Sequence, residues 1–173
     1  MNQTQGNPQR YVVDTNTIID LHCGKLLPII FHLPCRFIIT DLIIHELRNP
    51  PFQELATMGL LVESLPSEQV MEISAMMGRY DGPSYEDLSV LVLAKAKNTV
   101  LITGDGALRR AAVDNCVDCH GTCWLIGYLA DQELITYAQA ITAYKLIQNS
   151  KRFPPKDECD ALLKIWKQRQ KLE

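Results

Sequence analysis

The sequence predicts an α/β fold in three layers, a parallel sheet between two layers of helices, on three observations. Short runs dominated by apolar residues recur along the chain without the polar alternation of a half-exposed strand, as at Tyr11-Val12-Val13 and Val100-Leu101-Ile102. Amphipathic stretches of helical period separate them, and buried strands divided by helices are the pattern of a parallel sheet covered on both faces. The chain has 173 residues, 47% of them hydrophobic. That supports one core and excludes a disordered or low-complexity chain.

In order, Tyr11 to Val13 is a strand ending in Asp14, and Thr15 to Leu21 is a helix. Arg36 to Thr40 is a second strand, followed by a helix through Ile43, Ile44 and Leu47 that Pro50 and Pro51 stop. Phe52 to Met58 is helical, Leu60 to Val62 a weaker strand, and Ser67 to Met77 a helix. After the turn Asp81-Gly82-Pro83, Ser84 is a good N-cap for a helix to about Lys97. Thr99 to Thr103 is the clearest strand, with its β-branched, apolar composition. Helix returns at Ala107 to Val113, a short strand follows near Val117, and two helices cover about Trp124 to Ala130 and Tyr137 to Gln148. We expect one domain over residues 1–148. Residues 149–173 form a polar linker and a basic amphipathic helix, Asp157 to Lys171, packed on the domain or a partner through Leu162, Leu163 and Trp166.

The net charge of −3 hides an asymmetry: eight basic residues face four acids from Lys145 onward, a balance of +4, against −7 over the first 144 residues. The opening ten residues are polar and do not read as a signal peptide, and no apolar run is long enough to span a membrane. With six cysteines and no export signal, the expectation is a soluble cytoplasmic protein with free thiols.

Acids fall at the tips of the buried strands. Asp14 ends the first strand, and Asp105 follows the Val100 strand by two residues past Thr103. In an open parallel sheet both lie at the carboxyl edge, where such folds place ligands. Glu46 on the helix after the second strand and Asp87 near the start of the helix before the Val100 strand are expected to open toward the same edge. Four clustered carboxylates repel unless a cation sits among them, and hard ions such as Mg2+ or Mn2+ take such oxygen ligands. Phosphodiester hydrolysis is the chemistry this set supports most simply.

The run Val12-Val13-Asp14-Thr15-Asn16 resembles the opening motif of the PIN-domain family. Ile43-Ile44-His45-Glu46-Leu47 resembles its second motif, and the stretch from Ser84-Tyr85-Glu86-Asp87-Leu88 to Ala94 its third. Leu101-Ile102-Thr103-Gly104-Asp105-Gly106-Ala107-Leu108-Arg109 resembles the fourth. The resemblance covers about residues 11–130. It implies a Rossmann-like parallel sheet and a metal-dependent ribonuclease related to VapC-like toxins, which pair with a small antitoxin and often form dimers. It assigns Asp14, Glu46, Asp87 and Asp105 to catalysis and to Mg2+ or Mn2+, with Asn16 and Thr103 orienting carboxylates or water. Two acids adjoin in the third motif; Asp87 is chosen over Glu86 because it lies three residues after Ser84. The helices after Gly121-Thr122 and the Phe153-Pro154-Pro155 linker extend past a minimal toxin, as in a PIN-like subgroup with a C-terminal extension.

Other readings stand beside this one. The same fold with intact acids could serve as a non-catalytic partner-binding module. Asp14-Thr15-Asn16-Thr17 with Gly104-Asp105 also resembles haloacid-dehalogenase-like phosphatases, although Asn16 stands where that family has a second Asp. Cys116-Val117-Asp118-Cys119-His120 matches a haem-attachment pattern, and with Cys123 a zinc set, but buried free thiols are the plainer reading. Arg109 and Arg110, with Lys95 and Lys97, are placed to contact RNA phosphates, or are ordinary surface charge.

Overall fold

Each strand end in this chain is set by its neighbours in a five-stranded, wholly parallel sheet ordered β3-β2-β1-β4-β5. The computed structural model describes residues 8–152 and 154–172. The opening residues 1–7, and Phe153 of the linker, lie outside that set. The strands are β1 (Gln9–Val13), β2 (Cys35–Thr40), β3 (Leu61–Glu63), β4 (Val100–Ile102) and β5 (Cys119–His120). In register, Tyr11 pairs with Phe37 on one side and Val100 on the other. β1 is therefore central, and the chain builds outward from it first through β2 and β3, then through β4 and β5.

The helices are α1 (Thr15–Cys23), α2 (Leu27–Ile30), α3 (Phe52–Met58), α4 (Ser67–Met77), α5 (Tyr85–Lys97), α6 (Gly106–Asp114), α7 (Thr122–Asp131), α8 (Tyr137–Asn149) and α9 (Lys156–Arg169). α5 lies across β1, β2 and β4 with α4 and α6 against it, while α1, α7, α8 and α9 pack together as the other helical layer. Val12, Leu101, Ile102 and the run Leu88 to Ala94 are almost wholly buried between them. No described helix is long and apolar enough to cross a membrane.

Three expectations change. The segment through Ile43 and Ile44 is a 3-10 helix, Asp41–Glu46, not an α-helix. A β-branched pair a few residues from Pro50 and Pro51 leaves no room to propagate an α-helical nucleus. The strand expected near Val117 forms two residues later, because Val117 is spent closing α6 through its N–H to the Ala112 carbonyl. The cysteines are not all free: Cys123 and Cys159 form a disulfide joining α7 to α9. Their partnership depends on how α9 docks, which no local pattern reports.

That docking is extensive. Trp166 is 2% exposed and lies against Gly127 of α7, where an added Cβ would come within 3.1 Å of its Nε1. Arg109 of α6 holds Glu158 of α9 at 2.5 Å, and Arg169 pairs with Asp131 at the far end.

Candidate active site

β1 and β4 are adjacent strands whose connections leave in opposite directions along the sheet, so a crevice opens beyond their carboxyl ends. Asp14 and Thr103 stand at its floor. Asp14, in extended conformation, caps α1 by accepting from the Thr17 N–H at 2.7 Å through Oδ1. Its Oδ2 accepts from the Thr103 hydroxyl at 2.5 Å. Asp14 as a residue is 2% exposed. Burial pushes its pKa up to about 6, and the charge of Asp87 adds to the rise, while the hydrogen bonds from Thr103 and Thr17 oppose it. Thr103 works in both directions: its Oγ1 also accepts from the Asp105 N–H at 3.0 Å. Asp105 then caps α6 by accepting from the Leu108 N–H at 2.6 Å.

Glu46 ends the 3-10 helix after β2, and its Oε2 accepts from the Thr15 hydroxyl at 2.5 Å, next to Asp14 in the chain. Asp87 is held in a reciprocal cap with Ser84: the Ser84 N–H donates to Oδ2 at 2.9 Å and the Asp87 N–H to the Ser84 hydroxyl at 3.0 Å. Its charge is the one from α5 that reaches Asp14. Glu86 faces His45 instead, at 3.8 Å.

Of the four acids, Asp14 and Asp105 are linked through Thr103, Glu46 is bonded to Thr15 beside Asp14, and Asp87 reaches Asp14 through its charge. Among the described residues no three acid, histidine or cysteine side chains form a group able to hold a metal ion. Like charges keep apart, and each carboxylate takes its nearest N–H or O–H donor. In donor type, though not in grouping, these carboxylates match Mg2+ or Mn2+. Glu46 Oε1, Asp87 Oδ1 and Asp105 Oδ2 accept no hydrogen bond among the described residues, leaving hard oxygens for a cation.

Asn16, expected to orient carboxylates or water, is engaged by Arg152, whose Nη2 donates to its Oδ1 at 2.9 Å and its carbonyl at 3.2 Å. Arg152 also pairs with the buried Asp20, whose other oxygen accepts from Thr122 at 3.0 Å. Arg109 is committed to Glu158 and Lys95 and Lys97 to Glu72 and Glu63, whereas Arg110 is exposed with no acid partner among the described residues. Cys116, Cys119 and His120 form no metal-binding group among the described residues, and Cys123 is withdrawn into its disulfide.

Sequence reasoning missed Thr15, Thr17, Asp20 and Arg152. The threonines were findable, since hydroxyls flanking a strand-tip Asp are its nearest donors. Asp20 lies one helical turn after Asn16, also a usable sign. Arg152 carries no local signal.

The DUF3368 family model, described as a PIN domain, matches residues 10–168. No curated protein matches the chain. Among solved structures, a PilT N-terminus domain protein from the hyperthermophilic archaeon Sulfolobus solfataricus P2 is similar, with 16% identity and a TM-score of 0.46 over 69% of this chain and 92% of that one.

Proposed function

This chain belongs to the PIN-domain family, whose members are generally nucleases, and from that premise we propose that it is a metal-dependent ribonuclease that hydrolyses RNA phosphodiester bonds. The observation that carries the reading is the Asp14-Thr103-Asp105 chain of hydrogen bonds at the crevice between β1 and β4, with Glu46 and Asp87 beside it. Asp14, Glu46, Asp87 and Asp105 would hold Mg2+ or Mn2+, and such an ion polarises a phosphate oxygen and lowers the pKa of a water. The chain's own part is to fix the carboxylates. Thr17 and Thr103 take the two oxygens of Asp14, Thr15 holds Glu46, and the caps of α5 and α6 aim Asp87 and Asp105. If the motif resemblance to VapC-like toxins carries over, a small antitoxin would restrain the nuclease, and the chain would act as a dimer.

The test is cleavage of single-stranded RNA by the purified chain with Mg2+ or Mn2+, abolished by EDTA and by Asp14→Asn. A non-catalytic partner-binding module is the second reading, favoured by the absence of a ready-made metal group among the described residues. Failure to cut any of a broad set of RNAs with either metal, alongside stoichiometric capture of a partner, would establish it.

A further inference from the structure

The α8–α9 connection is built into the acidic edge. Pro155 lies against Gly104, where an added Cβ would come within 3.5 Å of its ring. Arg152 reaches back to Asp20 and Asn16 of α1. Between this strap and the β4–α6 loop is a pocket of about 330 Å³ lined by Asn16, Asp105, Lys151, Arg152 and Pro154 among others.

We propose that this pocket is a phosphate subsite, in which Lys151, Arg152 and the Asn16 amide grip a backbone phosphate of RNA next to the one being cleaved. The inference rests on the ribonuclease reading and gives it a substrate contact. Three observations carry it. Lys151 has no acid partner among the described residues, though it shares the pocket with Asp105. It also sits at φ 58, closing α8 with its N–H on the Gln148 carbonyl. That left-handed position is one glycine fills at lower cost.

Arg152 is the second. Its Nε is spent on Asp20 and its Nη2 on Asn16, which leaves Nη1 without a partner among the described residues. A guanidinium pinned on one side and open on the other is suited to a phosphate oxygen.

The third is Asn16. Because its Oδ1 accepts from Arg152, its free end is the Nδ2 amide, a donor. These three groups all offer hydrogens; the pocket is lined as well by the carboxylates of Asp20, which Arg152 pairs, and of Asp105, whose charge Lys151 faces. Such contacts place a strand without reading its bases. The pocket would thus set where the chain of phosphates enters the acidic edge, not which nucleotide is cut.

The experiment measures binding of a labelled single-stranded oligoribonucleotide to the full chain carrying Asp14→Asn, across a salt series. Lys151→Ala should weaken binding about 3- to 10-fold and reduce the slope of log K against log salt by about 0.7, the loss of one phosphate contact on a single strand. Lys145→Ala, an exposed lysine outside the pocket, should change neither. Arg152→Gln should behave like Lys151→Ala; if it fails to fold because Asp20 is left buried without its partner, the lysine variant still decides. Equal affinity and equal slope for Lys151→Ala and its parent would overturn the subsite while leaving the ribonuclease reading intact. No RNA binding by the parent would overturn both.

Discussion

The Thr103 hydroxyl donates to Asp14 Oδ2 at 2.5 Å and in the same position accepts the Asp105 N–H at 3.0 Å. One buried side chain at the tip of β4 therefore fixes the acid that ends β1 and the acid that opens α6. The hydroxyl proton can point only one way, so the two contacts reinforce each other, and a single oxygen links the side chain of one acid to the backbone of another far away in sequence, beside the bond from the Asp14 N–H to the Ile102 carbonyl.

Thr103→Val keeps the shape and removes both contacts. It should cost about 1–3 kcal/mol, since it strips a buried carboxylate of a donor and an N–H of its acceptor. The Thr103 bond holds the Asp14 pKa down, so the acidic limb of the pH–rate profile should move upward. Cleavage should fall about 10- to 100-fold, as when an outer-shell partner of a metal ligand is removed. A normal rate with an unmoved limb would show that Thr103 only fills space.

Asp14 titrates near pH 6, against 3.8 for an ordinary aspartate, mainly because it is buried. The folded chain holds that proton more tightly than the unfolded chain does. Stability from this group is therefore greatest below pH 4, falls as pH rises from about 4 to about 6, and stays reduced above. The shift corresponds to about 3 kcal/mol. In metal-free buffer, Asp14→Asn should therefore raise the melting temperature at pH 8 and leave it nearly unchanged at pH 4, while abolishing cleavage. Adding Mn2+ should raise the melting temperature of the unaltered chain more than that of the variant. Equal melting of both chains at both pH values would show that the buried charge costs nothing.

How much of this could be read in the sequence follows from the range of each contact. β1 and β4 were legible because a fully buried strand needs an unbroken apolar run, and Asp14 and Asp105 because an acid just past such a run must lie at the sheet edge. The Ser84–Asp87 cap was legible because its partners are three residues apart. The form of the Glu46 segment was not, since the Ile43-Ile44 pair suits helix and extended chain alike and the nearby prolines decided it. Arg152 with Asp20, separated by 132 residues, and Cys123 with Cys159, separated by 36, depend on the docking of the C-terminal layer. No local pattern anticipates a contact of that kind.

The Cys123–Cys159 bridge closes a loop of 36 residues from α7 to α9. In the chain-entropy account such a loop contributes about 3–4 kcal/mol by restricting the unfolded chain. Reduction, or Cys159→Ser, should lower the denaturant midpoint accordingly, and the reduced chain should show faster amide exchange in α9 than in α5. If α9 exchanges as slowly without the bridge as with it, then Trp166 and the Arg109–Glu158 pair suffice to hold the helix.

Gly127 tests the same docking from the other side. Inside a helix, Gly→Ala ordinarily gains about 1 kcal/mol through reduced freedom of the unfolded chain. Here the new Cβ would meet Trp166 Nε1 at 3.1 Å and its ring carbons at 3.6 Å. Trp166 is buried, and the disulfide one turn before Gly127 prevents α9 from backing away. Gly127→Ala should therefore destabilise the oxidised chain, against the helix-propensity trend. With Cys159→Ser, α9 is free to shift by a few tenths of an ångström, and the same substitution should become neutral or stabilising. The two changes should then be non-additive by about 0.5–3 kcal/mol, the range for residues sharing one packed contact. Additive effects in that double-mutant cycle would mean that the ring yields without any movement of the helix, and that the bridge does not hold Trp166 in place.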